Sequence, residues 1–228
     1  MEKIGNITLY NADCIDVMRT FKDKEFDLAI VDPPYGIGID GQKLSICKNP
    51  KHNRKFFEKK NWDVAPSQEY FNELIRVSKN QIIWGGNYFI DKIPFPTKCW
   101  LAWYKGQEGL TMSDFELAWT SFSRPARLVE INRFELKKEG TIHPTQKPVK
   151  LYLWILKQFA KPGMKILDTF GGSMSSMIAC YKWGGVEATC IEIDPDYYRK
   201  GVERLKREVE QMDLFIPNQE TIEQQSLF

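Results

Sequence analysis

A short turn, Asp32-Pro33-Pro34-Tyr35, follows an apolar run, Phe26–Val31, that has the composition of a buried strand. The two prolines stiffen the turn, because each fixes its own φ and restricts the residue before it. Asp32 supplies a carboxylate acceptor, and Tyr35 supplies an aromatic face beside it. Ligands bind where the strands of an open α/β sheet end, so the turn predicts a ligand site. The alternative is a proline turn with a surface tyrosine and a capping acid.

A glycine-containing turn occupies residues 168–174 and reads Asp-Thr-Phe-Gly-Gly-Ser-Met. It lies between a predicted strand and a predicted helix, where glycines let the backbone approach a ligand and the helix N-terminus favours negative charge. Glu192 ends the next predicted strand, which is the placement expected for an acid that accepts hydrogen bonds from ribose hydroxyls. A dinucleotide oxidoreductase would need G-x-G-x-x-G, and the third glycine is missing here.

The segments around these turns alternate between apolar runs and helical patterns, which predicts an α/β fold with a mostly parallel sheet. Residues 99–104 and 116–120 fit an antiparallel pair at one edge. The length predicts a single domain, residues 1–215, followed by a flexible tail, residues 216–228. The other predicted strands are 26–31, 81–84, 165–167 and 186–193, and the predicted helices are 68–77, 148–160 and one capped by Asp194 and Pro195.

Taken together, these motifs resemble the DNA amino-methyltransferases in the β arrangement, in which the catalytic motif precedes the cofactor motif. Residues 32–35 match the family's D/N/S-P-P-Y/F motif. Residues 168–174 are similar to its D-P-F-x-G-S-G loop, with Thr169 in place of Pro and Met174 in place of the last Gly. His143 to Pro148 are similar to H-P-T-Q-K-P. The resemblance runs from about residue 6 to residue 210, in the family's order.

The resemblance implies a Rossmann-like fold and an S-adenosylmethionine-dependent methyltransferase. It assigns catalysis to Asp32, Pro33, Pro34 and Tyr35. Glu192 would hold the ribose, and the segment Asn11-Ala12-Asp13-Cys14 resembles the one whose Asp lies near the cofactor's adenine. The cofactor-binding residues it implies are Asp13, Cys14, Thr145, Lys147, Asp168, Phe170, Gly171, Gly172, Ser173 and Glu192.

Two residues of the H-P-T-Q-K-P segment have competing interpretations. Thr145, Lys147 and Asp168 are expected near the amino-acid end of the cofactor. For Lys147, an exposed charge beside a proline is an equal alternative. His143 is expected to form a turn, since this chemistry requires no imidazole.

The chemistry implied by the resemblance is the activation of a weak nucleophile. The lone pair of an adenine amine is delocalised into the ring, and Asp32 and the Pro33 carbonyl, each accepting one N–H, would return density to it. The base must leave the duplex stack to reach them, and Tyr35 would stack on it. Aspartate in the first motif position favours adenine N6. Cytosine N4, an RNA substrate and an inactive DNA-binding relative remain alternatives.

Two segments are expected to contact DNA. Residues 43–60 carry a net charge of +6, so the rest of the chain sums to −4, and the loop 36–62 therefore suits a polyphosphate partner, although a solvated loop is an equal alternative. Residues 123–142 occupy the family's target-recognition position and are few, so we expect a short target sequence, loose specificity or a second subunit, as in a homodimer. The predicted DNA-binding residues are Lys43, Lys48, Lys51, Arg54, Lys55, Arg124, Arg127 and Arg133.

The remaining composition predicts a cytoplasmic protein of a bacterium or phage. The N-terminus is charged, no apolar run has the length of a membrane span, and the five cysteines lack C-x-x-C spacing. With two distant histidines, no metal site is expected. The last five residues resemble the pentapeptide that binds the bacterial sliding clamp, with Gln224, Leu227 and Phe228 as the anchoring residues. A similar segment, residues 211–215, has a competing role in docking on the core.

Overall fold

The computed structural model describes residues 1–40, 57–108, 113–132 and 134–213. Among these residues, nine strands form one sheet in the order β1-β2-β9-β8-β3-β4-β6-β5-β7. The strands are β1 (Glu2–Ile4), β2 (Ile7–Asn11), β3 (Phe26–Val31), β4 (Ser78–Trp84), β5 (Leu101–Tyr104), β6 (Phe115–Thr120), β7 (Arg127–Glu130), β8 (Lys165–Asp168) and β9 (Glu187–Glu192). The helices are α1 (Cys14–Arg19), α2 (Gln68–Val77), α3 (Phe134–Glu139), α4 (Val149–Phe159), α5 (Ser175–Trp183) and α6 (Pro195–Asp213).

The centre of the sheet is parallel. Strands β2, β9, β8, β3 and β4 run in one direction, and β3 pairs with β8 through Leu28 opposite Ile166 and Ala29 opposite Leu167. Strand β6 is antiparallel to both β4 and β5, and β7 is parallel to β5. The fold is therefore the predicted α/β class, and the predicted antiparallel pair is present, with β7 as the outermost strand beyond it.

Both faces of the central strands are buried, which explains why their sequences are continuous apolar runs rather than alternating ones. Leu28 and Ile30 pack into a core with α4, α5 and α6, whereas Ala29 and Val31 pack into a second core with α1 and α2. Successive residues of β3 thus support opposite layers. Within the described residues, no helix is both long and apolar enough to cross a bilayer.

The chain changes direction at the boundary between β3 and β8. From β3 it passes through α2 to β4 on one side, and from β8 it passes through α5 to β9 on the other. The two helices leave on opposite faces, so a crevice opens at the carboxyl ends of β3 and β8. The catalytic turn predicted at residues 32–35 and the glycine turn at 168–174 both follow these strands, so they lie at the same edge, as the sequence predicts.

Local capping explains the helix starts near this edge. The Asp13 carboxylate accepts the Ile15 amide at the start of α1, and the Asp194 carboxylate accepts the amides of Asp196 and Tyr197 at the start of α6. The predicted cap of the last helix is confirmed. Strands β1, β2 and β7 and helices α1 and α3 had no prediction from the sequence patterns.

Candidate active site

The catalytic turn places the Asp32 carboxylate between two donors. The Tyr35 hydroxyl donates to Oδ1 at 2.9 Å, and the Lys147 ammonium lies 2.5 Å from Oδ2. The Asp32 side chain is 15% exposed, so it is largely buried but still accessible. A carboxylate held at both oxygens has a fixed orientation, and each oxygen keeps a lone pair for a further donor.

The ring of Tyr35 is itself packed between neighbours. It stacks on Tyr88 with centroids 5.0 Å apart and 20° between planes, and it meets Phe89 edge-on. A Cβ at Gly85 would lie 2.1 Å from Cε1 of Tyr35, so only glycine fits there, and its φ of +68° also favours glycine. Stacking of Tyr35 on a base stays a prediction, and Tyr88, which is 44% exposed, adds a second aromatic surface beside it.

A chain of alternating charges extends from Asp32 into the protein. Lys147 also pairs with Glu116 at 3.1 Å, and the other oxygen of Glu116 lies 2.6 Å from Lys105. Sequence patterns missed Glu116, Lys105, Gly85 and Tyr88. A signal existed, because Glu116 interrupts the largely apolar strand β6 and Lys105 directly follows the apolar strand β5.

The two carboxyls in this series of charges have pKa values shifted in opposite directions. Burial raises the pKa of Asp32, although Lys147 acts to lower it. Burial acts in the same direction on Glu116, but Lys147 and Lys105 together lower the pKa of that carboxyl to about 2. Burial acts to lower the pKa of Lys147, and the two carboxylates outweigh it and raise that pKa. Glu116 and Lys147 are therefore ionised at neutral pH, and of the two carboxyls that contact Lys147, Asp32 is the more easily protonated.

The position of Lys147 corrects the alternatives drawn from the sequence. Its side chain is 3% exposed, so the exposed-charge interpretation is wrong. Its ammonium contacts Asp32, Glu116 and the hydroxyl of Tyr35. It also lies 5.4 Å from the centroid of the buried Trp84 ring. Lys147 thus contacts the turn at residues 32–35, and its contact with a cofactor stays a prediction.

Four acids follow four adjacent strands at the carboxyl edge. Asp13 comes after β2, Glu192 ends β9, Asp168 ends β8 and Asp32 follows β3. Because neighbouring strands are about 4.8 Å apart, these acids line the edge in a row rather than form a cluster. The row fits an elongated ligand whose far end lies at β2 and whose reacting end lies at the crevice.

Glu192 and Asp168 are buried and tied to the backbone. Glu192 accepts the amide of Gly172 at 2.6 Å and that of Asp194 at 2.8 Å. Asp168 accepts the Phe170 amide at 3.0 Å and the Ser176 hydroxyl. Burial raises the pKa of Glu192, and it raises the pKa of Asp168 to about 7. These contacts fix the shape of the glycine turn.

Met174 replaces the glycine that ends the family's loop, and the structure shows how the change is accommodated. The residue has φ of +58°, and its side chain is fully buried against Cys190. A Cβ at Gly201 would lie 2.6 Å from Met174 Cγ, so Gly201 leaves room for it. The Met174 side chain therefore lies in the core between β9 and α6. Ser173 is buried as well, and its hydroxyl bonds to Ser175.

The H-P-T-Q-K-P segment forms a turn around His143. The His143 ring accepts the Thr145 amide at 3.4 Å and packs edge-on against Tyr197 with centroids 4.3 Å apart. Burial lowers the pKa of His143 to about 4, and the Lys147 charge acts in the same direction. A neutral, packed imidazole matches the turn-forming role expected for it. Cys14 is a partly buried thiol whose pKa burial raises to about 12.

The two ends of the loop 36–62 are tied together beside the catalytic turn. The Asp63 carboxylate accepts the amides of Gly36 and Ile39, each at 2.8 Å. The Asp40 carboxylate accepts the amides of Lys60 and Trp62. Lys43, Lys48, Lys51, Arg54 and Lys55, together with Arg133 and the tail residues Gln224, Leu227 and Phe228, lie outside the described residues, and their roles stay predictions.

Arg124 and Arg127 lie at the amino edge of the sheet, away from Asp32. Arg127 pairs with Leu101 at the start of β5, which runs in the same direction as β3. The Arg124 guanidinium donates to the Gln158 carbonyl at the end of α4 and lies over the ring of Phe159. The structure therefore does not bring these arginines to the catalytic turn. DNA contact by either one stays a prediction and would use the opposite edge.

The parallel sheet, its crevice and the turns on either side of it define an α/β protein with the Rossmann-like methyltransferase fold. Residues 83–203 match the N6/N4 methyltransferase family model described as DNA methylase. The chain therefore belongs to the N6/N4 DNA methylase family.

Individual proteins and solved structures are also similar to this chain. YubD of Escherichia coli (strain K12), which is assigned as a methylase, is 26% identical over 85% of this chain and 87% of its own length. The M1.HpyAVI–SAM complex has a TM-score of 0.60 at 19% identity, over 87% of this chain and 99% of that one. The cytosine-N4-specific PvuII DNA methyltransferase has a TM-score of 0.56 at 14% identity, over 90% of this chain and 92% of that one.

Proposed function

We propose that this protein transfers a methyl group from S-adenosylmethionine to N6 of an adenine flipped out of DNA. The observation that carries the proposal is the position of the Asp32–Tyr35 turn, directly across the crevice between β3 and β8 from the glycine turn. A donor held on one turn and an amine held on the other would meet at this crevice, where α2 and α5 leave on opposite faces of the sheet.

The residues along the edge fit the cofactor. Glu192 is oriented by two backbone amides and retains lone pairs for ribose hydroxyls. Ile193 follows it and is 60% exposed, which suits contact with the face of an adenine ring. Asp13 at the end of the row, and Asp168 with the glycine turn near the crevice, would hold the two ends. When bound, S-adenosylmethionine supplies an electrophilic methyl group on a sulfonium.

The protein's own residues supply acceptors for the target amine. Asp32 Oδ and the Pro33 carbonyl would each accept one N–H, which draws the amine nitrogen toward a pyramidal form and restores its lone pair. As the methyl bonds to nitrogen, its bond to the sulfonium sulfur would break. The proton lost from nitrogen, which is acidic once the methyl is attached, would pass to Asp32 or to water, so no strongly basic residue is required. Tyr35 and Tyr88 provide aromatic surface for the extruded base, and such stacking contributes about 1–3 kcal/mol per base.

The DNA would approach from the carboxyl edge. The tied ends of the loop 36–62 are next to Tyr35, so its basic residues would reach phosphates on either side of the flipped base. We retain the single domain, residues 1–215, as the unit that carries both the site and these contacts. The aspartate in the first position of the motif supports adenine over cytosine.

Nucleoside mass spectrometry tests the proposal. The protein is incubated with unmethylated DNA and S-adenosylmethionine, the DNA is digested, and the nucleosides are separated and weighed. We expect N6-methyladenine with the wild type and about 10³-fold slower formation of it with Asp32→Ala. N4-methylcytosine would reassign the base. An absence of product on any DNA, with wild type and Asp32→Ala indistinguishable, would overturn the proposal.

A further inference from the structure

Lys147 is a buried cation shared by two carboxylates. Its ammonium lies 2.5 Å from Asp32 and 3.1 Å from Glu116, and its side chain is 3% exposed. With so little access to water, the ammonium depends on these partners, and the partners depend on it. The charge on Asp32 is therefore linked to a residue on a different segment of the chain, 115 positions later.

Glu116 sets how strongly Lys147 acts on Asp32. It has a second cation, Lys105, at 2.6 Å, whereas the described residues give Asp32 only Lys147. The four groups alternate in sign and sum to zero. Glu116 lies between two ammonium groups and is the better stabilised anion. Of the two carboxyls, Asp32 is therefore the one that gains a proton first as the pH falls.

Protonation of Asp32 would remove its proposed role. The amine needs an acceptor, and a protonated carboxyl presents an O–H to one side of the group. Lys147 on Oδ2 and the Tyr35 hydroxyl on Oδ1 also fix the plane of the carboxylate, which places its free lone pairs before substrate arrives. Such preorganisation is a main source of catalytic power, because nothing has to reorient during the reaction.

We propose that Lys147 is a positioning residue for methyl transfer: anchored by Glu116, it orients the Asp32 carboxylate and keeps it charged so that it can receive the target amine. This inference rests on the function proposed above. It assigns Glu116 and Lys105 to the same device, since they determine how much of the Lys147 charge is available to Asp32.

The proposal predicts opposite effects for the two neighbours of Asp32. Lys147→Met leaves Asp32 facing Glu116 with no shared cation, so Asp32 should protonate at higher pH. Glu116→Gln removes the competing anion, so Asp32 should protonate at lower pH. The other groups that face Asp32 are the hydroxyls of Tyr35 and Tyr152 and the carboxyl of Asp168, and both variants retain them.

The pH dependence of kcat/KM for DNA methylation measures this. Its acid limb reports the essential base of the free enzyme. We expect the limb to move up by about 1–3 pH units in Lys147→Met and to move down in Glu116→Gln. The double variant should lie between them. Lys79→Met is the matched control, because Lys79 pairs with Asp27 at the other end of β3, and its profile should coincide with that of the wild type.

The carboxyl carbon resonance of Asp32 gives a second readout that needs no activity. With labelled aspartate and assignment by Asp32→Asn, its titration should shift in the same two directions. If the wild type methylates nothing, the proposed function fails while this titration still decides the electrostatic assignment. Profiles and titrations unchanged in both variants would overturn it, as would a Lys147→Met variant whose sole defect is weaker binding of S-adenosylmethionine.

Discussion

Strand β3 carries a lysine–aspartate ion pair at each of its ends. At the amino end, Lys79 lies 2.7 Å from Asp27, with side chains 55% and 25% exposed. At the carboxyl end, Lys147 lies 2.5 Å from Asp32, with side chains 3% and 15% exposed. The two pairs have the same chemistry and the same strand. They differ in their exposure to water, and in the pair at the carboxyl end Lys147 also contacts Glu116.

The difference in burial reverses the effect on the acid. The hydrogen bond from Lys79 lowers the pKa of Asp27, whereas burial raises the pKa of Asp32 in spite of Lys147. In an exposed pair, each charge is solvated by water before folding and by water and its partner afterwards. The pair therefore contributes little to the free energy of unfolding. A buried pair is an arrangement in which each group controls the protonation of the other. Chemistry at the carboxyl edge therefore depends on neighbours that would be irrelevant at the amino edge.

Removal of each aspartate should give the largest contrast. Asp32→Ala deletes the proposed acceptor of the target amine, and we expect methyl transfer to fall by about 10³-fold. Asp27→Ala at the other end of the strand should leave the rate within about threefold, since surface changes are nearly neutral. Single-turnover transfer of labelled methyl groups measures both. Comparable losses in the two variants would mean that the strand as a whole, rather than its carboxyl end, controls activity.

The two lysines should differ in stability as well. Lys147→Met leaves two buried carboxylates without their shared cation, and breaking a buried pair costs about 3–5 kcal/mol in the free energy of unfolding. Lys79→Met should cost about 0–1 kcal/mol. Urea unfolding at pH 7, with equal m-values as a check on the denatured state, measures the difference. Equal costs would show that burial does not distinguish the pairs.

The features that could be predicted from the sequence are those that depend on local signals. Apolar runs and turn residues are local signals, so strand β3, helix α2 and the turns at 32–35 and 168–174 could be located. The adjacency of those turns followed from the rule that ligands bind where parallel strands end. The predicted Asp194 cap of α6 followed from side-chain chemistry alone.

The charge chain could not be predicted, because it joins segments far apart in the sequence. Glu116 lies in β6 and Lys105 directly follows β5, and their proximity to Lys147 depends on the register of β6 against β4 and β5. Whether a lysine beside a proline is exposed or buried depends on what covers it. Strand β7 was not predicted for a related reason, since Arg127–Glu130 has four residues, two of them charged, and it is defined by its pairing with β5.

Asp168, the acid that ends β8, extends the comparison of exposed and buried acids to the pH dependence of stability. Burial raises the folded-state pKa of Asp168 to about 7, above the value of about 3.9 in an unfolded chain. Above pH 4 the unfolded state releases this proton before the folded state does. The stability associated with the protonated form is therefore complete below about pH 4 and lost as pH rises to about 7.

Asp168→Asn removes that dependence while keeping the shape of the side chain. Relative to the variant, the wild type should lose about 3–4 kcal/mol of unfolding free energy between pH 4 and pH 7. Denaturant unfolding of both proteins across this range, without cofactor, gives the difference, in which other titrating groups cancel. Stability curves that run parallel for the two proteins would mean that the pKa of Asp168 is near its ordinary value and that burial does not raise it.

Two glycines with positive φ provide the smallest and most local contrast. Gly85 (φ +68°) lies against the Tyr35 ring at the carboxyl edge, whereas Gly163 (φ +83°) precedes β8 at the amino edge, where an added Cβ would meet nothing within 4 Å. Alanine at either position incurs backbone strain of about 1–2 kcal/mol. Only Gly85→Ala also forces the ring to move, so it should raise KM for DNA and lower kcat, whereas Gly163→Ala should change stability alone. Steady-state kinetics together with thermal unfolding separate the two effects. A Gly85→Ala variant with wild-type kinetics would mean that the observed position of Tyr35 is not the one used in methyl transfer.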